Sequence, residues 1–322
     1  MWKKDLQIKL ILALIFLGIS AGCRQQPAPG RESVSIAKPL GLAPEQVISG
    51  IISGKRLTQP FGITADRLGN LFVVDAGNNR LIKFDRDLKT VRETGGFGNT
   101  EGLLSSPTYI TIVNNLDIYV SDGGNQRLQR FDAGLNYVDE IEFVDPDDPL
   151  KYGRPLGIMV NELGELWVAD PDNSRLVVFN SFGNFDRFVA DPQTYSGLLL
   201  RPFAIARNQN DDILVADQGR KRIIVLNGFG AFQYEFGEGT LHKPSGIDFD
   251  RFGNTWIIDA ASSAIFCFAP GGRLLFSQNN ITAADGLDVR HPADLAILPG
   301  NKIAVSDTEN NRLVIYRILF SE

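Results

Sequence analysis

Few residues in this chain could do chemistry. The 322 residues include two His and two Cys, with no Ser-His-Asp constellation, no phosphate-cradling Gly loop and no CxxC pair. Four polar residues stand out, because each sits where related segments of the chain carry small or apolar ones: Tyr109, Arg207, Asp248 and Asp294. Two carboxylates on neighbouring segments could hold Ca²⁺ or act in acid–base chemistry, with Arg207 as the cation. The alternative is that they line a watery channel, where a polar side chain costs little. His242 and His291 stand at equivalent turn positions. A catalytic zinc needs several imidazoles and an open coordination position, so two His do not suffice and surface turns account for them. The acidic stretch "DPDDPLKYG" offers Asp145, Asp147 and Asp148. It lacks the spacing of an EF-hand loop and reads as a solvated turn.

The elements that position these residues come from a repeat. A Pro is followed 15 positions later by an Asp six times: Pro60 and Asp75, Pro107 and Asp122, Pro155 and Asp170, Pro202 and Asp217, Pro244 and Asp259, Pro292 and Asp307. Aliphatic residues stand three after each Pro (Ile63, Ile110, Ile158, Ile205, Ile247, Leu295) and two before each Asp (Val73, Val120, Val168, Val215, Ile257, Val305). Each unit holds short runs rich in Val, Ile, Phe, Tyr and Trp, broken by Gly, Asn and Asp, which is the pattern of strands joined by hairpins. One strand follows the Pro ("FGITA"), the next ends at the Asp ("NLFVVD"), a third starts at an Arg ("RLIKF"), and a variable fourth leads to the next Pro. Four antiparallel strands repeated six times at a period of 42 to 48 residues predict an all-β, six-bladed propeller with short, protected sheet edges. The sixth unit lacks a fourth strand and "EQVISGIIS" precedes the first Pro, so 46–53 is expected to pair with 311–318 and close the ring. One chain then completes the ring, and a monomer is expected.

"PFGITADRLGNLFVVDAGNNRLIKFD" resembles an NHL repeat, and the likeness covers about residues 57–318. The resemblance implies the propeller fold; NHL-like propellers include amidating lyases, scaffold proteins and RNA binders, so it does not choose a function. The repeated Asp closes one strand and the Arg opens the next (Arg80, Arg127, Arg175, Arg222, Arg312, with Ala264 in the fifth unit). The two face each other across a turn and are expected to brace it by a charge-assisted hydrogen bond. A set present in nearly every unit is scaffolding. Function is expected where one copy departs from the others, which is why Tyr109, Arg207, Asp248 and Asp294 matter: all four fall on innermost strands.

The N-terminus carries Lys3 and Lys4, an apolar run from Leu10 to Ile19, and small residues before Cys23. That is the order of an export signal, too short to span a bilayer comfortably. "ISAGC" is similar to the lipobox of bacterial lipoproteins, with Ser20 where Leu is usual, so residues 1–22 read as signal peptide and Cys23 as the lipidated residue. Residues 23–45 are rich in Pro, Gly and Ser and read as a tether, and 46–322 as the propeller. The resemblance to bacterial sorting signals, with Arg24 after the Cys, points to the outer membrane of the cell envelope. With Cys23 acylated, Cys267 in "AIFCFAP" is a packed residue. The chain has a net charge of −6, and removal of residues 1–22, with three Lys and one Asp, leaves −8. Nucleic acid, whose binding rests on phosphate neutralisation, is therefore excluded as a partner.

The turns before each Pro and the Asp-to-Arg turns should share one face. Basic candidates there are Lys55, Arg56, Lys151, Arg154, Arg201, Arg220, Lys221, His242, Lys243, Arg290 and His291, while Asp66, Asp85, Asp87, Asp117, Asp132, Glu162, Glu165, Asp211, Asp212 and Asp250 fall on the other. A basic face could attract a protein or an anionic polysaccharide. Two functions remain: a lipid-anchored, non-catalytic binding or scaffold propeller without a cofactor, or a metal-dependent lactonase- or lyase-like enzyme using Asp248 and Asp294 with a divalent cation such as Ca²⁺ in the central channel.

Overall fold

The computed structural model describes residues 38–143, 152–190 and 198–320. Contacts divide the chain into Met1–Ser35 and Ile36–Glu322, and everything described belongs to the second unit. Cys23, Lys151, Asp145, Asp147 and Asp148 lie outside the described residues.

Six antiparallel four-stranded sheets form the blades. The first contains Pro60–Ala65, Leu71–Asp75, Arg80–Phe84 and Thr90–Gly95, from the innermost strand outwards. The second to fifth repeat this order, with inner strands Pro107–Val113, Ile158–Val160, Pro202–Arg207 and Pro244–Phe249. The six-bladed propeller expected from the repeat is the fold. Burial explains why these runs hold. The strand that ends at the Asp is buried along its whole length in the first, third, fourth and fifth blades, because blades stack on both of its faces. Such a strand must read as an unbroken apolar run, as "LFVVD", "LWVAD" and "TWIID" do. The outer strands keep one wet face and are polar: Thr90–Gly95 is mostly exposed.

The sixth blade holds Pro292–Leu298, Lys302–Asp307 and Arg312–Phe320, and its fourth strand is N-terminal, as expected. The extent of that strand differs from the sequence expectation. It runs from Pro39 to Ser49, with Ser49 opposite Arg312 and Pro39 opposite Phe320. Gly50, at φ 89°, ends it, and Ile51–Ile52 turn away to pair with Lys55–Arg56. The apolar run "VISGII" concealed this break. Residues 39–45, read as tether, are ladder: Leu42 is buried, and Glu45 pairs with Lys302 at 3.0 Å and with Arg317. Pro44 is tolerated because this is an edge strand, with a bulge beside it.

The repeated Asp does more than the hairpin reading gave it. In every blade its carboxylate accepts the backbone N–H of the residue two before the Pro: Thr58 to Asp75, Ser105 to Asp122, Gly153 to Asp170, Leu200 to Asp217, His242 to Asp259 and Arg290 to Asp307. The Pro-to-Asp spacing is thus the spacing of a fixed capped turn. The Arg brace is present in four blades, at 2.7 Å for Arg80–Asp75, 2.9 Å for Arg127–Asp122, 3.1 Å for Arg175–Asp170 and 2.6 Å for Arg312–Asp307. The fourth blade departs from the expectation. Asp217 is filled by four backbone N–H groups, from Leu200, Arg201, Gly219 and Arg220. Arg222 turns instead to Glu235 and, at 2.9 Å, Glu238. Where the fifth blade has Ala264, the Ser262 hydroxyl donates to Asp259 at 2.9 Å.

Candidate functional site

The inner strands start at a Pro, except in the third blade, where the strand starts at Ile158, three after Pro155, so position after that Pro measures depth along the channel. Two places after it, Gly62, Gly157 and Gly246 let the next blade approach. A Cβ on Gly62 would stand 2.5 Å from the Thr108 carbonyl, and one on Gly157 2.6 Å from that of Phe203. At this level the second blade carries Tyr109 and the sixth Asp294. Both are buried, each 5% exposed. The Tyr109 hydroxyl donates to the Ser245 carbonyl, spanning from the second blade to the fifth. Phe61 and Phe203 meet the Tyr109 ring edge-on, with centroids 5.8 and 5.7 Å away. These three rings plug the channel on the side of the proline turns.

Beyond the plug lies a cup of about 750 Å³, opening on the opposite face and lined by the ends of the inner strands. Tyr109, Arg207, Asp248 and Asp294 all line it, so the four residues chosen from the sequence share one cavity. They do not form one cluster. Asp294 lies at the floor, Asp248 two residues further along its strand, and Arg207 at the rim. At about 3.3 Å per residue, floor and rim are roughly 10 Å apart. Arg207 contacts neither aspartate in an ion pair; it reaches Glu162 at 3.1 Å and Asp211 at 3.3 Å.

Each aspartate spends both carboxylate oxygens on backbone. Asp294 accepts from Ile63 in the first blade at 3.0 Å and from its neighbour Leu295 at 2.9 Å. Asp248 accepts from Ile297 in the sixth blade and from its neighbour Phe249, at 2.6 and 2.7 Å. The two carboxylates therefore pin the fifth blade to the sixth and the sixth to the first. Burial pushes the Asp248 carboxyl up to about 6, against the pull of those two amides, with the charge of Asp250 adding to the rise. Burial likewise holds Asp294 well above the usual carboxylate range, and the Asp248 charge adds to it. The Tyr109 phenol is pushed up by burial and by Asp294.

A divalent cation fits this set poorly. A Ca²⁺ site takes six to eight oxygens, whereas both carboxylates here face amide donors. Among the described residues no group of three His, Cys, Asp or Glu could hold a metal ion. His242 and His291 are exposed on the proline-turn face, away from the cup, and His291 Nδ1 stands 3.0 Å from Glu309. Cys267 is fully buried and its thiol is pushed well up by burial.

The proline-turn face carries the other candidates. Lys55, Arg56, Arg154, Arg201, Lys221, Lys243 and Arg290 are exposed there and Arg220 is half-buried. They are interleaved with carboxylates the charge pattern passed over: Asp172, 4.0 Å from Arg154, Asp285, paired with Arg312, and Glu238, Asp288 and Glu309. On the opposite face many acidic groups are internal to hairpins. Asp66 and Asp250, each 5% exposed, accept the backbone N–H groups two and four residues on. Asp85 and Asp132 do the same. Counting charged letters in turns missed this, because the Asp residues build the turns while the Arg side chains beside them, such as Arg67 and Arg251, are exposed.

The family model of the NHL repeat matches residues 104–131 and 289–316, in the second and sixth blades. A comparison with curated proteins finds no match. Among solved structures the chain is similar to a streptogramin B lyase (TM-score 0.61, 13% identity, covering 87% of this chain and 98% of that one). It is also similar to virginiamycin B lyase from Staphylococcus aureus (TM-score 0.59, 14% identity, 87% and 99%) and to a gluconolactonase from Xanthomonas campestris (TM-score 0.59, 14% identity, 87% and 98%). At these identities the likeness is one of fold.

Proposed function

We propose that this chain is a non-catalytic binding propeller, held in the cell envelope by lipid on Cys23 and engaging another macromolecule through its proline-turn face. One observation carries the non-catalytic part. The two carboxylates that make the cup look like an active site are engaged in joining the fifth, sixth and first blades. A metal ligand or general base needs a lone pair aimed at the ion or substrate, and each of these oxygens already accepts a backbone N–H, which takes about two of the four lone-pair directions of each carboxylate and fixes its orientation. The exposed side chains of Arg154, Arg201, Lys243 and Arg290 are the partner-facing groups, and an acidic protein surface or an anionic polysaccharide is the complementary chemistry. Lipid on Cys23 follows from the sequence order before it.

The purified chain tests the first part when assayed on lactones and streptogramins with Mg²⁺, Ca²⁺ and Zn²⁺ in turn. No turnover above that of Asp248→Asn is expected. Turnover that needs a metal and disappears in Asp248→Asn would overturn the reading. That outcome would support the second reading, an enzyme of the lactonase or lyase kind. The raised Asp248 carboxyl at the wall of an open cup is the observation in its favour.

A further inference from the structure

We propose that the cup-mouth face of the propeller docks directly on a phospholipid bilayer with anionic headgroups. Strand direction puts both hairpins of a blade, first-to-second and third-to-fourth, on this face. Five hairpin tips there hold large apolar side chains out into solvent: Leu68 70% exposed, Leu116 65%, Leu163 64%, Phe182 87% and Phe229 79%. Side-chain caps fix the backbone of four of these tips. Leu68, Leu163, Phe182 and Phe229 each sit two places after an Asp or Asn whose side chain accepts their backbone N–H, at 2.9 to 3.0 Å. The first three of these apolar tips, on consecutive blades, follow the rim of the cup, and the two Phe tips lie further out on the third and fourth blades.

Exposure alone does not choose this face, since Ile51, Phe97, Leu200 and Leu287 are exposed on the other. Two further observations do. Arg67, Arg86, Arg251 and Arg273 are exposed in hairpins of the first and fifth blades on this face, with Arg67 beside Leu68; Asp66 and Asp250 are buried as turn caps, while Asp87 and Glu162 are exposed. Apolar tips on the first four blades, flanked by arginines of the first and fifth, suit an interface where the tips enter the acyl boundary and the guanidinium groups meet phosphate. The closing strand also joins the ring here: it starts at Pro39, opposite Phe320, at the cup-mouth end of the sixth blade. This second point rests on the lipid on Cys23 proposed above. Lys38 stands fifteen positions after Cys23, a reach of at most about 50 Å, so a lipid on Cys23 would be tied to the ring at its cup-mouth face. One acyl anchor gives weak, reversible attachment and a second contact makes it stable.

The test uses a form starting at Arg24. It has no lipid but keeps every strand of the ring, all of which lie within 39–320. It is sedimented with vesicles of phosphatidylethanolamine containing about one third phosphatidylglycerol. Binding is expected, and Phe182→Ser with Phe229→Ser should weaken it about tenfold or more. The opposite-face pair Ile51→Ser with Phe97→Ser should bind like the parent. Phe229→Trp should show a blue-shifted emission with vesicles. No vesicle binding by the parent form, or equal losses in the two pairs, would overturn the proposal. Because this form lacks Cys23, its failure is separate from failure of the anchor, which is read from membrane release of full-length Cys23→Ser.

Discussion

Two sets of aspartates inside this propeller differ in their surroundings: the repeated set and Asp294 are buried, and Asp248 is half-buried at the wall of the cup. The repeated set, at the ends of the second strands, sits among many donors. Asp122 accepts from Ser105 N–H, the Asn125 and Gln129 amides and the Arg127 guanidinium. The other set, Asp248 and Asp294, has two backbone donors each and no cation within an ion-pair distance. The first environment offsets the cost of burying a charge and the second offsets only part of it. Even in the repeated set the balance is close: burial lifts the Asp170 carboxyl despite the opposing hydrogen bonds of Asn173 and Arg175. A solitary acidic pair in a channel therefore shows, first, what the ring needs at its closing seam.

The largest effect should come from breaking the repeated set. Asp122→Ala leaves the Arg127 Nε–H, the Ser105 N–H and the Asn125 and Gln129 amides short of an acceptor in the interior, though Arg127 keeps Glu140, and should cost about 3 kcal/mol of unfolding free energy in urea. Arg222→Ala, whose partners Glu235 and Glu238 are solvent-facing, should cost no more than about 1 kcal/mol. Equal losses would remove the distinction between braced and unbraced blades.

The second effect sharpens the other side of the comparison. Asp248 ionises near pH 4 when unfolded and near about 6 when folded, so between these values the native state holds the extra proton. Its contribution is whole below pH 4 and is lost as pH rises through 6, up to about 3 kcal/mol less any relief from channel water. Urea unfolding at a series of pH values should show that fall in the parent and a shallower one in Asp248→Asn. Identical slopes would place Asp248 in an ordinary aqueous environment. The smallest effect is at the plug: Tyr109→Phe removes only the bond to the Ser245 carbonyl and should cost about 1 kcal/mol by the same measurement.

The blades were legible because their signal is periodic and physically over-determined. A strand buried on both faces must be apolar throughout, and a capped turn of fixed length places Pro and Asp 15 apart. The closing strand was legible in existence but not in extent. "PLGLAPE" has the composition of a linker and becomes a strand only because the edge left open by Arg312–Phe320 accepts it. The four departures from the repeat were rightly placed on the channel wall. Their roles were not legible, since which amide a carboxylate faces depends on how blades separated by dozens of residues meet. Asp294 finds Ile63 at a sequence distance of 231. The charge pattern of the faces did not reveal, for a local reason, that Asp66 and Asp250 are buried turn caps rather than surface charges.

The central claim is that Asp248 and Asp294 bind the ring together and hold no metal. Thermal unfolding of the parent chain and of Asp248→Asn, each with EDTA and with millimolar Ca²⁺ or Mg²⁺, tests it most directly, because a ligand bound only to the native state raises the midpoint. The account predicts that the parent melts at the same temperature with chelator and with either cation. A cation-dependent rise in the parent that vanishes in Asp248→Asn would contradict it.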